Sequence, residues 1–277
     1  MRKVSVSVPA TVANLGSGFD TLGIALNLRN VVTIEESDHF EVIERGIGLS
    51  GEDLIAKTVK VFLKENGEDT NVRIVKHSVI PIGKGLGSSA AAVVSALGVS
   101  MAFTGSIDPN LLFTEAVEIE GHPDNVAPAV YGGMRVSAST PEGYTSLGIG
   151  VPFRSLTVFV PPFKTSTDES RKALHKEVLL SQAVFNLQRL GILLAGFARG
   201  EIIKEGFEDE LHQNLRLLQH PEAKEFFEYL NSHFNLPTFL CGSGPSIGVV
   251  GDVNPKIPNG WKKLELDVSE KGLKIEN

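Results

Sequence analysis

The residues best equipped for chemistry lie together in Pro81-Ile82-Gly83-Lys84-Gly85-Leu86-Gly87-Ser88-Ser89-Ala90-Ala91-Ala92. Its three glycines let a backbone approach a ligand and take positive φ without steric cost. The serines and alanines that follow open a helix, whose unpaired N–H groups and positive dipole end make an anion site. Lys84 adds a point charge, and Ser88 and Ser89 offer oxygens to a phosphate or a magnesium ion. The chemistry indicated is the binding of a nucleotide phosphate. It is not a Walker loop, because there the lysine follows the last glycine and here it precedes two of them.

Other matches do not survive inspection. Gly46, Gly48 and Gly51 satisfy G-x-G-x-x-G, but the strand before them alternates polar with apolar, unlike the buried first strand of a dinucleotide fold. Gly244-Pro245-Ser246-Ile247-Gly248 satisfies the G-x-S-x-G elbow of hydrolases, whose acid and histidine come after the serine. His233 is the last histidine, so that order cannot be met. The seven histidines are scattered and form no H-E-x-x-H zinc motif.

Composition narrows the partners. Over 277 residues the chain carries a net charge of −7, which argues against a nucleic acid or an anionic membrane as the main partner. Cys241 is the single cysteine, so no internal disulfide can form and a reducing compartment is expected. Met1–Val6 alternates like a strand and does not resemble a signal peptide. The apolar run from Ala90 to Phe103 is too short to span a bilayer and is interrupted by serines. A soluble, cytoplasmic protein is expected.

Strands are expected at Val4–Val8, stopping at Pro9, and at Thr21–Leu28, Val31–Glu35, Phe40–Glu44 and Val72–His77, with Ala10–Asp20 a loop. Leu54, Ile55, Thr58, Val59, Phe62 and Leu63 recur at helical spacing, and a helix follows the glycine-rich turn from Ser88 to Phe103. Asp108-Pro109 reads as an N-cap with proline at the first helical position, for a helix running to about Ile119. Gly121, Pro123 and Pro128 break the pattern between Glu120 and Ala129, before a strand at Tyr131–Ser137. A domain seam is expected near residue 150, dividing the chain into 1–150 and 151–277. Beyond it come a buried-type strand, Leu156–Val160, and a long helix over about Lys176–Arg199 with Ala183, Leu187, Leu190 and Leu194 on one face. Further helices are expected near Leu215–Gln219 and Glu222–His233, and Leu240–Gly248 forms a second glycine-rich turn. The mixture reads as α+β.

Three separated stretches together resemble one family. Pro81–Ala92 is similar to the phosphate-binding motif of the GHMP kinases. Pro9–Leu26 (PATVANLGSGFDTLGIAL) and Glu120–Gly133 (EGHPDNVAPAVYGG) resemble the homoserine kinase branch in particular, and Gly242–Ser246 fits a third family motif. The resemblance implies a two-domain α+β GHMP fold with the active site in the cleft between domains. It implies transfer of the ATP γ-phosphoryl group to the side-chain hydroxyl of L-homoserine, with ATP held by Pro81 through Ala91. Rival readings are a GHMP kinase acting on mevalonate, shikimate or another small alcohol, and a non-catalytic nucleotide- or amino-acid-binding protein on the same fold. Members of the family are often homodimers, and on that ground alone a homodimer is expected.

Homoserine is a zwitterion and needs an acid for its ammonium and a guanidinium for its carboxylate. Asp20 and Asn14 would serve the first, and Arg171 or Arg216 the second. His122, Asp124 and Asn125 would line the floor between homoserine and phosphate. Lys84, Asp124 and Asn125 are the candidate catalytic residues, Asp124 either as a base or only to orient the substrate hydroxyl. Magnesium would be held by Ser88 and Glu120, with Glu118 the alternative acid. Asn214-Leu215 stands where the family has Pro-Tyr, His175 where a proline is common, and Cys241 and Ser243 where it has serine and alanine. These departures bear on the carboxylate clamp more than on the reaction.

Overall fold

A computed structural model describes residues 2–46, 53–68 and 70–276. Gly48 and Gly51 of the G-x-G-x-x-G match lie outside the described residues. Two long antiparallel strands, β1 (Lys3–Asn14) and β2 (Gly18–Glu36), form the spine of the first half. Both run past their expected limits. Pro9 does not end β1: it pairs with Arg29, and directly after it the ladder is interrupted where Asn27 and Leu28 of β2 bulge before Ala10 pairs with Leu26, the kind of irregularity beside which a residue without an N–H is tolerated. The stretch expected as a loop is mostly strand, and the turn is confined to residues 15–17. That tight reversal puts Asn14 at φ 74°, Leu15 at 45° and Asp20 at 53°, in left-handed backbone uncommon for non-glycine residues.

The sheet continues with β3 (Glu41–Gly46), β4 (Val72–Ser78), β5 (Met134–Thr140) and β6 (Gly143–Ile149). The order is β11-β1-β2-β4-β3, with β5 on the far end of β2 and β6 beyond it. Strand β11 is Lys274–Glu276, the end of the chain. Helices α1 (Leu54–Glu65), α2 (Ser88–Thr104), α3 (Pro109–Glu120) and α4 (Pro123–Tyr131) pack together with this sheet. The serine-interrupted apolar run is α2, buried along nearly its whole length among α1, α3, α4, β1 and β2. Its alanines and serines let those neighbours approach closely. Asp108 caps α3 through Asn110 N and Leu111 N, with Pro109 in the first turn. Helix α4 was not expected: Pro123 sits in its first turn, where no intrahelical N–H is needed, and Pro128 is tolerated inside. The carbonyl that Pro128 cannot serve, that of Asp124, presses against Gly23 of β2, where a Cβ would lie 1.7 Å away.

Between Ile149 and Ser155 the chain changes sheets. Strand β7 (Ser155–Val160) joins β8 (Thr238–Leu240), β9 (Ile247–Val250) and β10 (Lys262–Asp267) in the antiparallel order β10-β7-β9-β8. Helices α5 (Thr167–Lys172), α6 (Leu180–Ala198), α7 (Gln213–Leu217) and α8 (Pro221–His233) complete this half. Phe159, Phe226, Leu230 and Trp261 form its own core. Leu86 and Val126 share another core with Phe207, Phe239 and Cys241, so the halves are packed as well as linked. The tail crosses back, and the Arg29 guanidinium holds it by donating to the carbonyls of Lys271 and Gly272.

The inward face of α6 differs from expectation. Asn186, Leu193, Gly196 and Phe197 are buried, whereas Leu187 is 69% exposed together with Leu180 and Val184. The helix is apolar on two sides, and periodicity alone cannot say which side is covered. Among the described residues no helix is long and apolar enough to cross a membrane.

Candidate active site

The glycine-rich turn joins β4 to α2 and keeps its shape through three left-handed glycines, Gly83 at φ 66°, Gly85 at 74° and Gly87 at 65°. Close packing adds a second demand for glycine. A Cβ on Gly85 would stand 2.0 Å from the Cys241 carbonyl oxygen, and one on Gly87 would stand 1.9 Å from Thr11 Oγ1. The turn is therefore clamped between β1 and the second glycine-rich segment, with Thr11 N donating to Leu86 O and Thr165 N to Gly83 O. A cavity of about 200 Å³ opens above it, and Gly83, Gly85, Gly87, Ser88, Ser89 and Ala90 face it with Ile82. Pro81, Leu86 and Ala91 support the turn without lining the cavity, Leu86 and Ala91 being core residues.

Lys84 is placed otherwise than expected. Flanked by two left-handed glycines, its side chain leaves on the far side of the turn, where its ammonium donates to the carbonyl of Pro161 at 2.9 Å and to that of Phe163. Those carbonyls follow β7. Burial, then the charge of Lys164, lowers the Lys84 pKa. A residue expected to meet phosphate instead ties the turn to the second half.

The acids come from the α3–α4 corner. Glu120 lines the cavity and accepts from Ser89 Oγ at 2.6 Å, whereas Glu118 is exposed and faces a different groove. Burial raises the pKa of Glu120, while the Ser89 hydroxyl and His122 pull it back. Asp124, 3% exposed, accepts at Oδ1 from Asn125 N at 2.8 Å and pairs with His122 Nδ1 at 2.9 Å. The bond to Asp124 raises the His122 pKa against the effect of burial. Thr11 Oγ1 donates to Asn125 Oδ1 at 2.8 Å, which fixes the Asn125 amide toward β1.

The opposite wall carries the charges. Arg171 of α5 grips Asp20 with two bonds, Nη1–Oδ2 at 3.0 Å and Nη2–Oδ1 at 2.8 Å, each side chain about one-third exposed. Burial opposes the Arg171 charge, but Asp20 more than restores it, so its pKa stands above the ordinary value. Arg216 is 3% exposed. Its Nη1 donates to Gly242 O at 2.9 Å, its guanidinium lies over the Phe19 ring, and its buried Nε has no partner among the described residues. Burial and the neighbouring Arg171 bring its pKa down to about 10. Asn14 Nδ2 donates to the same Gly242 carbonyl at 3.0 Å, and its Oδ1 accepts from Asp20 N. Two guanidiniums and a carboxylate lining one cavity suit a ligand carrying both charges.

The cavity thus brings together Asn14, Asp20, Glu120, His122, Asp124, Asn125, Arg171 and Arg216 from both halves. Thr165, Ser166 and Thr167, which are not among the expected site residues, also line it. The signal was Ser166 three residues before Glu169, a capping box that opens α5. Sequence reasoning also missed His212, fully buried behind Arg216. His212 Nε2 donates to Gly16 O at 2.9 Å, which leaves Nδ1 as the acceptor for Arg216 Nη1 at 3.4 Å. Ser246 of the elbow-like match is buried, consistent with no nucleophilic role. Beside Ser88 and Ser89 a second cavity, of about 210 Å³, has apolar walls from Leu54, Ile80 and Ile82 and polar groups from Asn30 and Ser78.

Residues 53–133 match the family model for the GHMP kinases N terminal domain. The chain is 41% identical over 279 residues to a homoserine kinase of Moorella thermoacetica, covering 97% of this chain and 94% of that protein. With a homoserine kinase of Thermotoga petrophila the identity is 37%, covering 98% and 99%. The crystal structure of homoserine kinase from Cytophaga hutchinsonii superposes with a TM-score of 0.83 at 25% identity, over 100% of this chain and 98% of that one. Mevalonate diphosphate decarboxylase from Staphylococcus aureus shares the fold, with a TM-score of 0.70 at 13% identity over 100% and 98%.

Proposed function

The chain belongs to the homoserine kinase family of GHMP kinases, and we propose on that premise that its cleft transfers the γ-phosphoryl group of ATP to the side-chain hydroxyl of L-homoserine, yielding O-phospho-L-homoserine and ADP. The observation that carries the reading is that Asp20, Arg171, Arg216 and Asp124 line one cavity with the glycine-rich turn. In this reading the chain forms two domains, 1–150 and 151–277, and the change of sheet between β6 and β7 supports that division.

The Gly83–Ser89 backbone receives the triphosphate, and the apolar cavity beside Ser88 takes the base. Asp20 holds the substrate ammonium while Arg171 and Arg216 hold the carboxylate. That requires the Asp20–Arg171 pair to open and each partner to exchange one charge for another of the same sign. Such two-point holding fixes the hydroxyl near phosphate, and positioning of this kind supplies most of the catalysis in phosphoryl transfer. Asp124 orients the hydroxyl; His122 and Asn125 N hold its Oδ1 and so fix the carboxylate in place.

The donor set also fits magnesium. Glu120 and the hydroxyls of Ser88 and Ser89 are hard oxygen donors, and among the described residues no three His, Cys, Asp or Glu side chains make a self-sufficient metal cage. That suits an ion held by one carboxylate together with substrate phosphates. Bound there, it would neutralise charge on the phosphates.

A cytoplasmic location fits the single, buried cysteine. A second copy is proposed to cover the exposed stripe Leu180, Val184 and Leu187 of α6, which sedimentation would test.

The deciding experiment is ADP release from purified protein with homoserine, mevalonate and shikimate in parallel. Homoserine alone should stimulate turnover. Equal or greater turnover with another alcohol, or no stimulation at all, would overturn the reading. In Asp124→Asn, a kcat loss of roughly 10- to 100-fold is expected; a loss beyond about 10⁴-fold with KM unchanged would assign a base.

A further inference from the structure

The second cavity has a directional wall. Asn30, 7% exposed, receives Val79 N at 2.8 Å and Ile80 N at 3.0 Å on its Oδ1. Two backbone donors on one atom fix the amide orientation, and the oxygen is spent on them, so the group left to meet a ligand is the NH₂. Ser78, also 7% exposed, donates its hydroxyl proton to Glu44 Oε1 at 2.9 Å. A carboxylate can only accept, and this one is pinned by Lys76, whose ammonium lies 2.5 Å from Glu44 Oε2 and 2.6 Å from Asp53 Oδ2. Lys76 is 3% exposed. Turning the Ser78 proton toward the cavity would forfeit a charge-assisted bond in a partly buried network. What Ser78 shows the cavity is therefore lone pairs.

We propose that Asn30 and Ser78 select the nucleotide by its base edge, one donor and one acceptor matching a base that carries an exocyclic amino group beside an unprotonated ring nitrogen. The proposal rests on the reading that this cavity takes the base. An amino group donates to Ser78 Oγ, and the neighbouring ring nitrogen accepts from Asn30 Nδ2. A base with a carbonyl and a ring N–H reverses both roles and sets acceptor against acceptor and donor against donor. Adenine and cytosine have the matching edge; hypoxanthine and uracil have the reversed one. Glu44 and Lys76 touch no ligand in this scheme and act as positioning residues that hold the Ser78 proton.

The test is kcat/KM at saturating homoserine for ATP, ITP, CTP, UTP and the triphosphate of purine riboside, in the wild type and in Ser78→Ala. In the wild type ATP should exceed ITP by about 100-fold or more, and CTP should exceed UTP in the same sense. Purine riboside triphosphate, lacking the amino group, should fall about tenfold below ATP. Ser78→Ala should bring ATP down to that level and leave the amino-less nucleotide unchanged. Equal use of ATP and ITP by a wild type that phosphorylates homoserine would overturn this inference alone. So would a Ser78→Ala variant that loses ATP and purine riboside triphosphate alike. Failure of every nucleotide to support homoserine phosphorylation would overturn the kinase reading and this inference with it. The analogue comparison needs no variant, so a folding defect in Ser78→Ala cannot obscure it.

Discussion

Arg171 and Asp20 reach across the cleft from opposite halves and close on each other in a two-bond fork, at 3.0 and 2.8 Å. The fork neutralises both charges where a zwitterion would sit. Asp20→Asn and Arg171→Ala should each raise KM for homoserine by about 10- to 100-fold, the value of a charge-assisted bond of about 1.5–3 kcal/mol, and leave KM for ATP near its original value. Steady-state kinetics with each substrate varied in turn checks this. An unchanged homoserine KM would mean that the pair is an ordinary surface bridge.

Lys84 is a strut between the turn and the carbonyls of Pro161 and Phe163. Lys84→Met should lower Tm by several degrees, since about 1.5–3 kcal/mol is lost with the bonds of a charged donor. Calorimetry of the unliganded protein reads this out. A phosphate ligand would behave oppositely, with KM for ATP rising and Tm unmoved.

Glu120 sits over Ser89 and inside the cleft, whereas Glu118 points elsewhere. Removing divalent cations with EDTA should abolish turnover. Glu120→Gln should need at least about 10- to 100-fold more Mg²⁺ for half-maximal rate, and Glu118→Gln no more than the wild type. A magnesium titration of all three proteins decides between the two acids.

His212 is buried with its pKa lowered, first by burial and then by the charge of Arg216 against the opposing pull of Asp209. Its folded-state pKa lies below the unfolded value near 6.5, so below that pH the unfolded chain binds the extra proton. Stability from this residue is present above pH 6.5 and is lost as pH falls toward the folded pKa, at up to about 1.4 kcal/mol per pH unit. His220 shifts in the same direction and adds to the trend. His122, with its raised pKa, acts in the opposite sense, so the readout is the difference between proteins: urea unfolding at pH 5.5 and 7.5 should show a smaller loss on acidification in His212→Gln than in the wild type.

Much of this was legible in the residues because local physics wrote it there. Gly83, Gly85 and Gly87 announced left-handed backbone, Asp108-Pro109 a helix start, and alternating valines a strand. What failed locally failed where tertiary contacts overruled propensity. Pro9 stayed in a strand beside a bulge in the facing strand, Pro123–Tyr131 became a helix despite two prolines, and Leu187 faced outward on a helix apolar on both sides. The residues also determined the chemistry available: a phosphate-binding turn, an acid-rich corner and scattered arginines. Only the tertiary structure decided which of these meet. Asp20 and Arg171 are 151 positions apart, and Asn14 and Arg216 share one carbonyl, that of Gly242, contributed by a third segment. Lys84, a neighbour of the glycines in sequence, was turned out of the site by the backbone on either side of it. Sequence spacing fixes direction only within a helix or strand; across a cleft, direction is set by the packing of both halves.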